Sequence, residues 1–226
     1  MSGTVLSKIP GPNGRSRWLL ITLGSVLLFV AIYLINNRIS QANNDDIADV
    51  PVAAHQLYHS IATGDSPAIG SPEAAVKLVL FSDFSCSHCY NLFETLESVR
   101  SDEKYQGVFH MVFFCNPVNA SGNGLLLANV AKFAQRAGKF WELYPVLYAM
   151  RNEITEGNVC RRFYEFLSDT TALRAYLNAP SHDVLKDMKA AREAGIQAVP
   201  ALVLEGKVYY GELSREQLIS MLKNRP

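Results

Sequence analysis

The sequence has no excess of either charge. Its 21 Lys and Arg are matched by 21 Asp and Glu over 226 residues, so it offers no broad basic surface for a phosphate backbone, and a nucleic-acid partner is set aside. It also lacks internal repeats and low-complexity tracts, so it is not an array of short units. Cysteine is scarce, with four in all: Cys86, Cys89, Cys115 and Cys160. Only the first two stand close together. A zinc site built on C-x-x-C needs a second half, but Cys115 and Cys160 stand alone, and His55, His59, His110 and His182 are not in ligand spacing with them. Covalent haem needs a His directly after the second Cys, and that position holds Tyr90. No metal and no other cofactor is expected. The length suits one domain with a real core, or marginally two.

One stretch lacks charge altogether. Residues 18–35 are apolar and uncharged, and a bilayer-crossing helix needs roughly 17–25 such residues. Lys8, Arg15 and Arg17 precede the block, while Arg38 and then Asp45, Asp46 and Asp49 follow it. The basic excess on the N-terminal side predicts a single-pass anchor in the inner (cytoplasmic) membrane, with residues 1–17 in the cytoplasm and the rest exported. The alternative is a cleaved signal peptide, with Ser40-Gln41-Ala42 as the small-residue site. Signal h-regions run only about 7–15 residues, and Arg38 crowds the cut, so a retained anchor is the reading adopted. Either way the remainder reaches a compartment where disulfides can form.

Residues 36–72, rich in Asn, Asp, Ser, Pro and Gly, read as a linker. Within them Ile47, Val50, Ala54, Leu57 and Ile61 alternate by three and four, but Pro51 interrupts and the run is too short for a coiled coil. Residues 73–226 read as one α/β domain. Residues 76–81 are a buried strand, and Cys89, Leu92, Phe93, Leu96 and Val99 share one helical face. Residues 108–114 form a second strand, parallel to the first through a right-handed crossover. A helical insert occupies about 120–194, with Pro145 in a first turn or at a kink, a helix over 159–167, and Ser181 as an N-cap. A hairpin follows around Gly206, then a last helix capped by Ser214 with Gln217 three residues on.

Cys86 and Cys89 carry the chemistry. Cys86 ends a strand-to-helix junction, where unpaired backbone N–H groups carry partial positive charge and favour thiolate over thiol. It is the expected nucleophile. Cys89 lies one turn further in, on the buried face, and is the expected resolving thiol. His88, between them, is placed to donate a hydrogen bond to the Cys86 sulfur or to bring charge near it, which would favour the reduced state and make the pair an oxidant. Ser87 flanks the nucleophile. Val199-Pro200 precedes the third strand. A proline there is innocent by default; in a thioredoxin-like fold it is the cis proline facing the cysteine pair, with the Val199 backbone free to pair with an extended substrate.

From about residue 69 onward the chain resembles the bacterial DsbA-like thiol:disulfide interchange proteins. The resemblance rests on Gly70-Ser71-Pro72, Val79-Leu80-Phe81-Ser82-Asp83-Phe84, the Cys86-to-Cys89 motif, Lys139-Phe140-Trp141-Glu142, and Gly195-Ile196-Gln197-Ala198-Val199-Pro200. It implies a thioredoxin-like fold with an inserted helical domain. It further implies oxidation of cysteine-containing exported proteins and reoxidation by a DsbB-like membrane oxidase. Two positions depart from the family: Ser87 stands where the best-known oxidases have Pro, and Leu80 where many relatives carry a buried Glu. Asp83 is nearby and reads as a turn residue. Rival readings are a disulfide isomerase or reductase and, from another class, a periplasmic copper-binding module using Cys86 and His88. Cys115 and Cys160 are candidates for a structural disulfide, worth roughly 3–5 kcal/mol by chain entropy, or else are two buried thiols acting as small apolar residues.

Overall fold

The computed structural model describes residues 27–34, 47–49, 66–119, 123–178 and 182–223. The chain divides into two compact units, Met1–Asp45 and Asp46–Pro226. In the first, residues 27–34 are helical, with exposed apolar side chains such as Leu27, Leu28, Phe29 and Tyr33. No helix among the described residues is long and apolar enough to cross a membrane. Most of the 18–35 block, the Ser40-Gln41-Ala42 site, Val50 through Ile61 and Ser181 lie outside the described residues.

The second unit is built on a six-stranded sheet. Its strands are β1 (Ile47–Asp49), β2 (Ala68–Ile69), β3 (Val76–Ser82), β4 (Phe109–Cys115), β5 (Ala201–Leu204) and β6 (Lys207–Tyr210), in the order β1-β6-β5-β3-β4-β2. The central strand β3 runs parallel to β4 and antiparallel to β5. A run such as Val76-Lys77-Leu78-Val79-Leu80-Phe81 suits this central place because both faces of the strand are covered. Val76, Leu78 and Leu80 face one core with Leu92, Leu96, Leu218 and the inserted helices. Val79 and Phe81 face the other with Ala191, Ala194 and Val203. Each fully buried Leu or Phe contributes roughly 1.5–3 kcal/mol. Leu80 itself is 1% exposed.

The helices are α1 (Ser87–Arg100), α2 (Asn123–Arg136), α3 (Phe140–Ala149), α4 (Val159–Arg162), α5 (Tyr164–Leu167), α6 (Thr170–Leu177), α7 (His182–Glu193) and α8 (Arg215–Lys223). The predicted face of α1, from Cys89 to Val99, is the buried one. The β5–β6 turn places Glu205 and Gly206 at φ 49° and 79°, the left-handed pair that two-residue hairpins need. At α8 the Gln217 N–H donates to Ser214 Oγ at 3.2 Å, and the Ser214 N–H donates to Gln217 Oε1 at 2.7 Å, closing the expected capping box.

Two local readings need correcting, and a third is narrowed. The stretch read as linker contributes both edge strands: β1 pairs with β6 and β2 with β4. The helix expected over 159–167 is two short helices broken at Phe163, whose φ of −103° and ψ of 9° leave the helical region. Of the two places expected for Pro145, a first turn or a kink, it takes neither end of α3 but an interior position, the sixth residue.

Candidate active site

The Asp83-Phe84-Ser85 turn joins β3 to α1. The Asp83 carboxylate is 3% exposed and accepts three hydrogen bonds. Ser85 N–H and Ser85 Oγ each donate to Oδ1 at 2.8 Å, and Val118 N–H donates to Oδ2 at 2.9 Å. Asp83 therefore serves as a turn residue, as read from the sequence, and ties the loop after β4 to the start of α1. The insert closes on the same turn at Gly124, the second residue of α2. A Cβ there would collide with the Asp83 carboxylate and stand 2.8 Å from Ser85 Oγ.

Cys86 is the N-cap of α1, in extended conformation at φ −86° and ψ 126°. It is half-buried, while Cys89 is 1% exposed. The Cys89 thiol donates to the Cys86 sulfur, and the backbone N–H groups of Cys89 and His88 add to it. Together, against the cost of partial burial, they lower the Cys86 thiol from its ordinary 9.0 to about 6. Holding that proton, and being buried, pushes the Cys89 thiol far up. The Asp83 N–H donates to Cys89 Sγ at 3.4 Å. Behind it Ser82 Oγ lies 2.6 Å from the hydroxyl of Tyr148, a fully buried α3 residue. One sulfur is thus a half-buried, readily ionised thiol and its partner a shielded one, the asymmetry that thiol–disulfide exchange requires.

Ser87 and His88 are exposed. The His88 ring is bonded to a carboxylate. Its Nδ1 lies 2.5 Å from Glu212 Oε1, which also accepts from Asn91 Nδ2 at 2.8 Å. Glu212 raises the imidazole above its ordinary value by that hydrogen bond and by its charge. The hydrogen bond that His88 gives Cys86 comes from the main chain, so of the two expected contributions the imidazole supplies charge near the sulfur, while its Nδ1 bonds Glu212. Val199 is half-buried and Pro200 buried, and the bond between them is cis. Phe81 pairs with Ala201, so Pro200 falls beside the end of β3, four residues before Cys86 in the register.

Cys115 pairs in register with Ser82 at the same sheet edge and is fully buried. All four cysteines are free, so the proposed Cys115–Cys160 disulfide is not formed. Cys115 instead fills a place in the apolar core, and Cys160, on α4, packs half-buried against it. Glu212, Asn91, Ser82 and Tyr148 escaped the sequence reading. Only Ser82, in the quoted strand run, gave any signal there.

The family model for thioredoxin matches residues 62–224, well over half the chain. The chain belongs to the thioredoxin family. The domain's fold is shared by a thioredoxin-like oxidoreductase from Silicibacter pomeroyi, 23% identical, with a TM-score of 0.62 over 72% of this chain and 92% of that one. It is shared too by the thiol-disulfide exchange protein alpha-DsbA2 from Wolbachia pipientis, 15% identical, with a TM-score of 0.62 over 75% and 94% of the two chains. BdbD from Bacillus subtilis in its oxidised form is 18% identical, with a TM-score of 0.60 over 70% and 91%. Among curated proteins, the Na(+)/H(+) antiporter NhaA 3 of Salinispora tropica is 22% identical over 151 residues. The match takes in 66% of this chain but spans only 23% of that protein. In this thioredoxin domain Cys86 and Cys89 stand at the start of the helix that follows the central strand.

Proposed function

We propose that this thioredoxin-family protein is a thiol–disulfide oxidoreductase that introduces disulfides into exported proteins. The observation that carries the reading is the pairing of Cys86 and Cys89: a half-buried sulfur at a helix start, its thiol lowered to about 6, backed by a buried thiol. A stable Cys86 thiolate makes a good leaving group and stabilises the reduced pair, so the disulfide form gives up its bond readily.

The reaction balances as follows. A substrate thiolate attacks Cys86 Sγ of the Cys86–Cys89 disulfide. The S–S bond breaks, and its electron pair leaves on Cys89, which takes a proton. A second substrate thiolate, having lost its own proton, attacks the substrate sulfur of the mixed disulfide and expels Cys86 as thiolate. The substrate loses two electrons and gains a disulfide, and the pair is left as thiolate and thiol. Val199 and Pro200, with Ser87, flank the attack point and receive the extended substrate. A DsbB-like membrane oxidase restores the disulfide. Residues 18–35 hold the domain at the outer face of the inner membrane, with the N-terminus in the cytoplasm.

Replacing Cys89 with Ala removes the resolving thiol and leaves substrates attached to Cys86. Mass spectrometry of the trapped adducts should return cysteine-bearing exported proteins. Recovery of a membrane reductase alone would reverse the direction of electron flow and overturn the oxidase reading.

A further inference from the structure

Glu212 stands between β6 and α8, 124 residues from His88 in sequence. One of its carboxylate oxygens meets both His88 Nδ1, at 2.5 Å, and Asn91 Nδ2, at 2.8 Å. His88 and Asn91 belong to the first two turns of α1, the cysteine helix. The residue before Glu212 is bonded as well: the Gly211 N–H donates to the Pro200 carbonyl at 3.0 Å. A single short segment therefore joins the helix that starts at Cys86 to the strand that starts after Pro200.

These bonds do not rescue buried groups. Side-chain exposure is 69% for His88 and 42% for Glu212, so water would satisfy both, and exposed ion pairs contribute only about 0–1 kcal/mol to stability. What the contact does fix is the direction of the ring. An imidazole held through Nδ1 cannot donate from that nitrogen to the sulfur two residues away. Glu212 thus takes His88 Nδ1 out of reach of Cys86 as a donor.

We propose that Glu212 is a positioning residue that holds His88 off the Cys86 sulfur and so restrains the oxidising strength of the pair. The inference rests on the thiol–disulfide reading above. Removing the carboxylate frees the ring to donate to the sulfur, which favours the Cys86 thiolate and with it the reduced form.

The test compares the full chain with its Glu212→Ala, His88→Ala and doubly substituted forms, each equilibrated with glutathione at pH 6, where a free imidazole is largely protonated. Glu212→Ala should shift the equilibrium towards reduced protein by about three- to tenfold, a fraction of a pKa unit up to one unit at Cys86. In the His88→Ala background the same substitution should have under half that logarithmic effect. No shift, or a shift undiminished without His88, overturns the proposal. An NMR titration of the His88 ring gives a readout independent of the thiols. Its midpoint should fall towards the free-histidine value in Glu212→Ala, and an unchanged midpoint overturns the clamp whatever the cysteines do. Failure of wild type to form the Cys86–Cys89 disulfide with glutathione would instead count against the oxidoreductase reading, and the NMR readout would still decide the clamp.

Discussion

Cys86 and Cys115 leave the sheet at the same edge, for Ser82 lies four residues before one and opposite the other in the β3–β4 register. Their chemistry is opposite. Cys86 opens a helix, with two backbone N–H groups and a neighbouring thiol aimed at its sulfur, and is lowered to about 6. Cys115 ends a strand, is sealed from water, and is pushed up by burial despite the nearby Lys132 ammonium. Proximity to the site therefore does not make a cysteine reactive. What decides is whether donors or dry apolar contacts meet the sulfur.

The sharpest way to break that comparison is to exchange the two sulfurs for inert side chains. Cys86→Ser should lower the oxidation rate of a reduced fluorescent peptide at least about a thousandfold, as loss of a nucleophile does, while Cys115→Ala should keep its rate. Equal losses would mean that Cys115 takes part in turnover.

A second test concerns what keeps the Cys115 side dry. Lys132 and Asp187 form a buried ion pair at 2.7 Å, and Asp187 Oδ2 also accepts from the Cys115 N–H at 2.8 Å. Lys132→Met leaves the carboxylate buried without its cation and should cost about 3–5 kcal/mol in urea unfolding. A loss under about 1 kcal/mol, the surface-pair range, would place the pair in water and remove the contrast with Cys86.

The pH dependence tests the Cys86 side. Its folded value is depressed, so the extra stability of the reduced form is full above the ordinary thiol value of 9.0 and is lost as pH falls through about 6. The melting temperature of the reduced protein relative to its own oxidised form should accordingly fall between pH 7 and 5. Alkylation of Cys86 by iodoacetamide should be level above pH 7 and drop about tenfold per unit below 6, following the thiolate fraction. A midpoint near 9 would mean the helix start does nothing for the sulfur. The smallest effect expected is on stability in Cys115→Ala, a loss of about 1 kcal/mol for one buried sulfur and the gap it leaves, read by the same urea titration.

Much of this was legible in the chain. The strands β3 and β4 declared themselves as continuous apolar runs, the hairpin by Gly206, the last helix by Ser214 and Gln217, and the cysteine pair by its spacing at a strand-to-helix junction. The edge strands did not, because three residues at Ile47–Asp49 and two at Ala68–Ile69 are too few to show alternation. They are recruited by the open edges of β6 and β4 rather than by their own propensity. The break at Phe163 was hidden because its apolar side chain, fully buried, continues the helical pattern through a non-helical backbone. Glu212 was invisible for another reason. A surface carboxylate between a strand and a helix looks like any solvated charge until the fold brings it to His88.

The inserted helices reach further than their place in the chain suggests. Tyr144 and Tyr148 of α3 pack against Phe84, Phe93 and Phe113, with ring centroids 4.7–5.6 Å apart, and the Tyr148 hydroxyl meets Ser82 beneath the resolving thiol. The insert is thus the floor of the redox pair as well as a lid of the sheet. A minimal domain made by splicing residue 116 to residue 195 would strip the resolving thiol of this aromatic floor, so shortening this protein would change its electrochemistry together with its packing.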